Sequence, residues 1–179
     1  MSLSFILSAP LVNVRDKIYL SYRPWLKRFE RSKRLSGEEN LDLAHVKAVV
    51  LGMGRMGVAA YNAMRQDYET HLVGFEIDED KAKKDIEAGM NVICVDATNP
   101  DIWGRAPDLL DGLEWVLLTL PTHQANMNAA TRLKEMGYTG SIAATTKYPD
   151  EEDALKAIGV DHTFNIYTKA GQGFAKEMQ

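Results

Sequence analysis

The chain has 179 residues, 45% of them hydrophobic, and 21 Lys/Arg against 25 Asp/Glu give a formal net charge of −4. That length suits one domain with an appendage, and the apolar content is ample for a buried core. No apolar run approaches the ~20 residues that span a bilayer, and the single cysteine excludes an internal disulfide and fits a reducing compartment.

The first 44 residues differ from the rest. Phe5 to Val12 is apolar but broken by Ser8 and Pro10, with no basic residue before it, so it makes a poor secretory signal. Between Arg15 and Arg34 eight Lys/Arg stand against two acids, about +6, which leaves about −10 on the remainder. Tyr19, Tyr22, Trp25 and Phe29 recur there every three or four residues, the pattern of a basic amphipathic helix with an apolar stripe. Such a stripe needs a surface, which is the chain's own globular domain, a membrane-proximal partner or, least of the three, nucleic acid. Residues 36–40 form a polar break. The expected organisation is a basic helical connector over 1–44 and a globular domain over 45–179, with no nucleic-acid partner.

From His45 onward, short apolar runs alternate with helical spacing. Strands are predicted over 46–51, 71–75, 92–95, 115–120, 141–145 and 162–164, and helices over 56–67, 80–88, 124–136, 150–157 and 167–178. Gly89, Gly137 and Gly159 stop three of those helices. Strands that alternate with helices imply an α/β fold: a Rossmann-type, doubly wound, parallel six-stranded sheet with helices on both faces. Runs such as Val116-Leu117-Leu118 are expected where both sheet faces are buried. Ligands of such sheets bind outside the carboxyl ends of the strands, at the switch in strand order.

Those ends carry the informative residues. Val49-Val50-Leu51 leads into Gly52-Met53-Gly54-Arg55-Met56-Gly57, and Glu76 follows nineteen residues after Gly57. In a glycine turn between strand and helix, the first glycine permits the tight turn and the second lets backbone approach a pyrophosphate. The third lets the helix pack close to its strand, while the helix N-terminus faces the phosphates. Glu76, ending the second strand, can accept hydrogen bonds from ribose hydroxyls, or it can cap the helix that follows. Its charge repels a 2′-phosphate, so NAD or AMP is favoured over NADP. Asp78 is expected to face solvent or cap a helix, and Arg55 to neutralise phosphate or tie the loop to an acid.

Asp96-Ala97-Thr98 follows the third strand, either presenting a carboxylate and backbone groups to adenine or forming an Asx-type turn. Thr119-Leu120-Pro121 would border the second half of a dinucleotide. His123 lies near the same strand end, where a helix-start residue is as compatible as an acid–base catalyst. Cys94, within Val92-Ile93-Cys94-Val95, reads as a structural thiol. No catalytic constellation and no metal cluster can be assembled. About fifteen residues follow the sixth strand, too few for a substrate domain, which favours a binding or sensing module over a dehydrogenase.

Taken together, the glycine turn, Phe75-Glu76-Ile77-Asp78, Asp96-Ala97-Thr98 and the run Ala154-Leu155-Lys156-Ala157-Ile158-Gly159-Val160-Asp161 resemble an RCK domain, the Trk-type potassium-transport nucleotide-binding domain. The likeness covers about three quarters of the chain and is greatest to the cytoplasmic domain of Kef-type cation–proton antiporters. It implies a regulatory domain, not an enzyme, that binds NAD(H) or AMP at the inner face of the cell membrane and gates ion transport. By position it implies phosphate contacts from Gly52, Gly54, Arg55, Met56 and Gly57, with Met53 in the same turn. It puts the ribose on Glu76 beside Ile77, and Asp96, Ala97 and Thr98 about the adenine. It further implies a homodimer, with the last helix crossing to the partner, and a membrane antiporter domain as a second partner, which the basic segment would connect. Two departures stand out. Val58 replaces a glutamine common after the third glycine, and Ala143-Ala144-Thr145-Thr146-Lys147 replaces an arginine-bearing stretch, so control by glutathione does not transfer. A small NAD-dependent oxidoreductase is the alternative function. A methyltransferase is disfavoured by the absence of an antiparallel seventh strand.

Overall fold

The computed structural model describes residues 43, 45–97, 99, 110 and 112–178. The connector expected over 1–44, with its amphipathic helix, falls outside the described residues save for Leu43, and Thr98 falls outside them too. The elements are β1 (Ala48–Leu51), α1 (Arg55–Tyr68), a 3-10 turn (Glu69–His71), β2 (Leu72–Glu76), α2 (Glu79–Glu87) and β3 (Val92–Cys94). They continue with β4 (Trp115–Leu118), α3 (His123–Glu135), β5 (Ser141–Thr146), α4 (Pro149–Ala157), β6 (His162–Asn165) and α5 (Ile166–Glu177).

The strands form one six-stranded sheet in the order β3-β2-β1-β4-β5-β6, and every pairing is parallel. This is the doubly wound Rossmann arrangement expected from the alternating pattern. The order reverses between β1 and β4, so a crevice opens above those two strands. Register aligns Leu51 with Phe75 on one side and with Leu118 on the other, which brings the carboxyl ends into one row.

Both faces of the sheet are covered, as apolar strands without polar alternation require. Val49 and Leu51 point to one core, which Ala129, Ala130 and Leu133 of α3 and Leu155 of α4 close. Ala48 and Val50 point to the other, closed by Tyr61 of α1 and Ala82 of α2. On this second face the cover by described residues stops short of the far strands. There an apolar groove of about 410 Å³ lies between α1 and β4–β6, lined by Met56, Ala60, Leu117, Ala143 and Phe164. α5 does not fill it: none of its residues is buried, and Tyr167, Phe174 and Met178 are 61%, 69% and 73% exposed. Among the described residues no helix is long and apolar enough to cross a membrane.

Differences from the expected spans have local causes. β2 begins a residue later than predicted because Glu69–His71 winds into the 3-10 turn, with Glu69 at φ 44° ending α1. β4 stops at Leu118, two residues early, because the Thr119 hydroxyl turns to the glycine loop.

Candidate functional site

The helices differ at their starts. Asp78 caps α2 by accepting from Lys81 N at 3.1 Å, Thr122 caps α3 by accepting from Ala125 N at 3.2 Å, and Asn165 caps α5 by accepting from Thr168 N at 3.0 Å. α1 starts at Gly54 with no side-chain cap and no acid in its first turn. A helix start leaves backbone N–H groups without intrahelical partners, and they carry the positive end of the helix dipole. α1 therefore presents bare donors to the crevice.

The glycines around those donors have separate reasons. Gly52 has φ +95°, and a Cβ on it would lie 2.9 Å from the Thr119 carbonyl oxygen, so turn geometry and packing both demand glycine. A Cβ on Gly57 would run into the Gly52 carbonyl, so the third glycine seats α1 on the loop. Gly54 is different. Its φ is an ordinary −73°, and a Cβ there would meet no protein atom within 4 Å. Nothing in the fold asks for glycine at that position, but a phosphate close to the backbone would.

Thr119 fixes the loop from across the crevice. Its hydroxyl lies 2.7 Å from the Gly52 carbonyl oxygen and 3.1 Å from that of Leu51, and its N–H donates to Leu51 O at 2.9 Å. Beside it Asn126, 2% exposed on α3, accepts from Leu120 N at 3.0 Å and donates to Thr145 O at 3.1 Å. One buried amide thus holds the ends of β4 and β5 together.

Glu76, 6% exposed, ends β2. Its Oε1 accepts from Ile77 N at 2.9 Å and Asp78 N at 3.0 Å, which orients the carboxylate and leaves Oε2 for a ligand hydroxyl. The backbone N–H of Lys81 holds the Asp78 carboxyl below the usual range. Asp85, on the same helix, has a buried Oδ2 with no partner among the described residues. Burial, then the charge of Glu76, pushes its carboxyl up. Burial likewise raises the Cys94 thiol, which suits its structural reading.

A cavity of about 570 Å³ joins these parts, within the roughly 300–1,000 Å³ usual for small-molecule sites. Of the residues expected from the sequence, it is lined by Gly52, Gly54, Arg55, Met56, Glu76, Ile77, Asp96, Ala97, Thr119, Leu120 and Pro121. Met53 is not among them. Its side chain is 2% exposed and packs on β2, where a Cβ on Gly74 would meet its sulfur at 2.5 Å, so it belongs to the core. Gly57 serves helix packing, as above. Asp96 O accepts from Asn99 N at 2.9 Å, and Ala97 leans on the core. Lys81, Asn126 and Glu151 also line the cavity and were not singled out in the sequence, and Thr146 and Lys147, noted there only within the stretch that departs from the family, line it as well. Among the described residues no group of three His, Cys, Asp or Glu could hold a metal ion.

The TrkA-N domain family model matches residues 48–166. The chain is similar in structure to the NAD(P)-binding domain of an exopolyphosphatase-related protein from Archaeoglobus fulgidus, with TM-score 0.65 and 14% identity over 74% of this chain and 97% of that one. It is similar to the TrkA-N domain of the inner membrane protein YbaL from Escherichia coli, with TM-score 0.64 and 19% identity over 74% and 96%. It is also similar to the AMP-bound Kef CTD of Shewanella denitrificans, with TM-score 0.56 and 15% identity over 74% and 78%. No curated protein is close enough in sequence to count as a relative.

Proposed function

The chain belongs to the TrkA-N domain family, and from that membership we propose that residues 45–179 form a regulatory domain that binds NAD(H) or AMP and controls potassium or cation–proton transport of the Kef type. In this reading residues 1–44 are the basic connector towards a membrane antiporter domain, and the domain works at the cytoplasmic face of the cell membrane. It acts as a homodimer, with α5 of each copy lying on the other.

Gly54 carries the nucleotide part of the reading. The fold leaves that position open in front of uncapped N–H groups, while Glu76 presents a free carboxylate oxygen at the next strand end. Phosphate on the first and ribose on the second is how an adenine nucleotide would fit. Solved neighbours described as an NAD(P)-binding domain and as an AMP-bound form accord with that ligand class. The regulatory part follows from chemistry. A bound nucleotide shifts a conformational equilibrium by its difference in affinity for two states and needs no reacting group. The rival oxidoreductase reading would lean on His123, which lines the cavity.

Gly54→Val tests the reading with little risk to the fold, because φ and space both admit a side chain. Isothermal titration with AMP and NAD is expected to show binding to the native chain and none to the variant, at unchanged melting temperature. Native affinity in Gly54→Val would put the site elsewhere.

A further inference from the structure

The strand pairings end in two different ways at the cavity. Between β1 and β2 the ladder runs one direct bond past the paired residues, with Gly52 N donating to Phe75 O at 2.9 Å. Val95 N does the same to Glu76 O at 2.7 Å between β2 and β3, and Thr119 N to Leu51 O at 2.9 Å between β1 and β4. β4 and β5 do not end so. Their ladder opens with Ser141 N donating to Glu114 O, and Trp115 lies opposite Ser141. Bonds of a parallel pair recur evenly along the strands, so beyond Leu118 and Ala144 the same series would run on to Leu120 N donating to Thr145 O. The amide of Asn126 stands in that place instead. Leu120 N donates to its Oδ1 at 3.0 Å, and its Nδ2 donates to Thr145 O at 3.1 Å.

Stability alone does not ask for this arrangement. Leu120 N and Thr145 O are a matched donor and acceptor, and bonding each other would satisfy both without burying an amide, here 2% exposed. What the amide adds is separation, because it ties the two chain ends together at one amide's width. Leu120, Asn126 and Thr145 all line the cavity, so the gap is part of its wall. Thr119, one residue before Leu120, braces the glycine turn through Gly52 O at 2.7 Å. Drawing Leu120 onto Thr145 would narrow the cavity and pull that brace away from the turn. We infer that Asn126 is a positioning residue that keeps the cavity open, a spacer between β4 and β5 that acts on a bound nucleotide through Leu120 and Thr119. The inference rests on the nucleotide-binding reading above and adds the device that sets the width of the site.

Asn126→Leu has nearly the same shape and no polar side-chain atom, so it leaves Leu120 N and Thr145 O to bond each other. Isothermal titration of the full chain with AMP and NAD is expected to show both bound at least about tenfold more weakly by this variant. Hydrogen exchange reads the closure itself: the Leu120 amide is expected to stay protected, its bond passing from Asn126 to Thr145. Asn126→Asp is the second variant. Ionised, its carboxylate accepts from Leu120 N but has no donor for Thr145 O, and protonation restores one. Its nucleotide affinity, relative to the native chain at the same pH, is therefore expected to recover as pH falls through the carboxyl range. A residue that served stability alone would move the melting temperature and leave these affinity ratios unchanged. Native affinity in Asn126→Leu overturns the inference, as does a loss of affinity with a freely exchanging Leu120 amide. Should Asn126→Leu fail to fold, Asn126→Asp decides, and a ratio to native that does not respond to pH overturns the inference. A native chain that binds neither ligand removes the nucleotide reading and the inference with it.

Discussion

Glu76 divides two tasks between two oxygens, and the division predicts what its loss does. Oε1 holds the backbone of the turn into α2, while Oε2 is free for a ribose hydroxyl. Glu76→Ala removes both. Losing a charged hydrogen-bond partner costs ~1.5–3 kcal/mol, roughly a tenfold to hundredfold weakening of nucleotide binding. Calorimetry reads that number, and an unchanged titration would reduce Glu76 to a brace for the turn. Asp85 offers the complementary case, an acid that harms the fold it sits in. Its buried Oδ2 has no partner among the described residues and its carboxyl is raised by burial and by Glu76. An acid whose folded pKa lies above its unfolded value of 3.8 destabilises the fold when ionised. That penalty is complete at neutral pH and fades as pH falls through the raised folded value towards the unfolded one. Asp85→Asn is therefore expected to raise the melting temperature at neutral pH, with a gain that shrinks as the solution is acidified through the carboxyl range. A gain that does not depend on pH would mean that packing, not charge, sets the effect.

What was legible at this scale follows from what each residue depends on. Gly52, Gly54 and Glu76 were legible because a turn, a helix start and a strand end are local, and spacing along the chain fixes them. Met53 sits inside the same motif yet faces the core, where Gly74 makes room for its sulfur. Thr146, Asn126 and Lys81 carried no local signal. Their place in the cavity depends on the register between β4 and β5 and on how α2 and α3 pack, which no short motif encodes.

At the scale of elements, α5 and the groove beneath β4–β6 belong to one question. α5 exposes Tyr167, Phe174 and Met178, with Tyr167 set against Tyr148 at 6.4 Å between ring centroids, and among the described residues nothing fills the apolar groove. Both lie in the same chain, so two copies can satisfy each other through one self-complementary contact, the simplest route to a two-fold dimer. Light scattering at micromolar concentration is expected to give a dimer for the whole chain and a monomer once residues 166–179 are removed. An intact chain that stays monomeric would count against the exchange. The helical spacing of Ile166, Ala170 and Phe174 made the helix readable in the sequence. That none of its residues is buried was not readable, because period alone does not tell which surface a stripe meets.

For the molecule as a whole, the Thr119 hydroxyl has a consequence for how the site comes into being. It reaches a carbonyl 67 residues earlier in the chain, across the seam where strand order reverses. β1, the glycine turn, α1 and Glu76 all precede that seam, so a chain made from its amino end holds every phosphate and ribose contact before Thr119 exists. The turn those contacts depend on lacks its brace until β4 has paired with β1. Long-range closures of this kind come late in folding, because the intervening loop must be ordered first. Capture of a nucleotide would then be deferred to the finished fold, and a nascent or truncated chain would carry the whole motif and still have no grip.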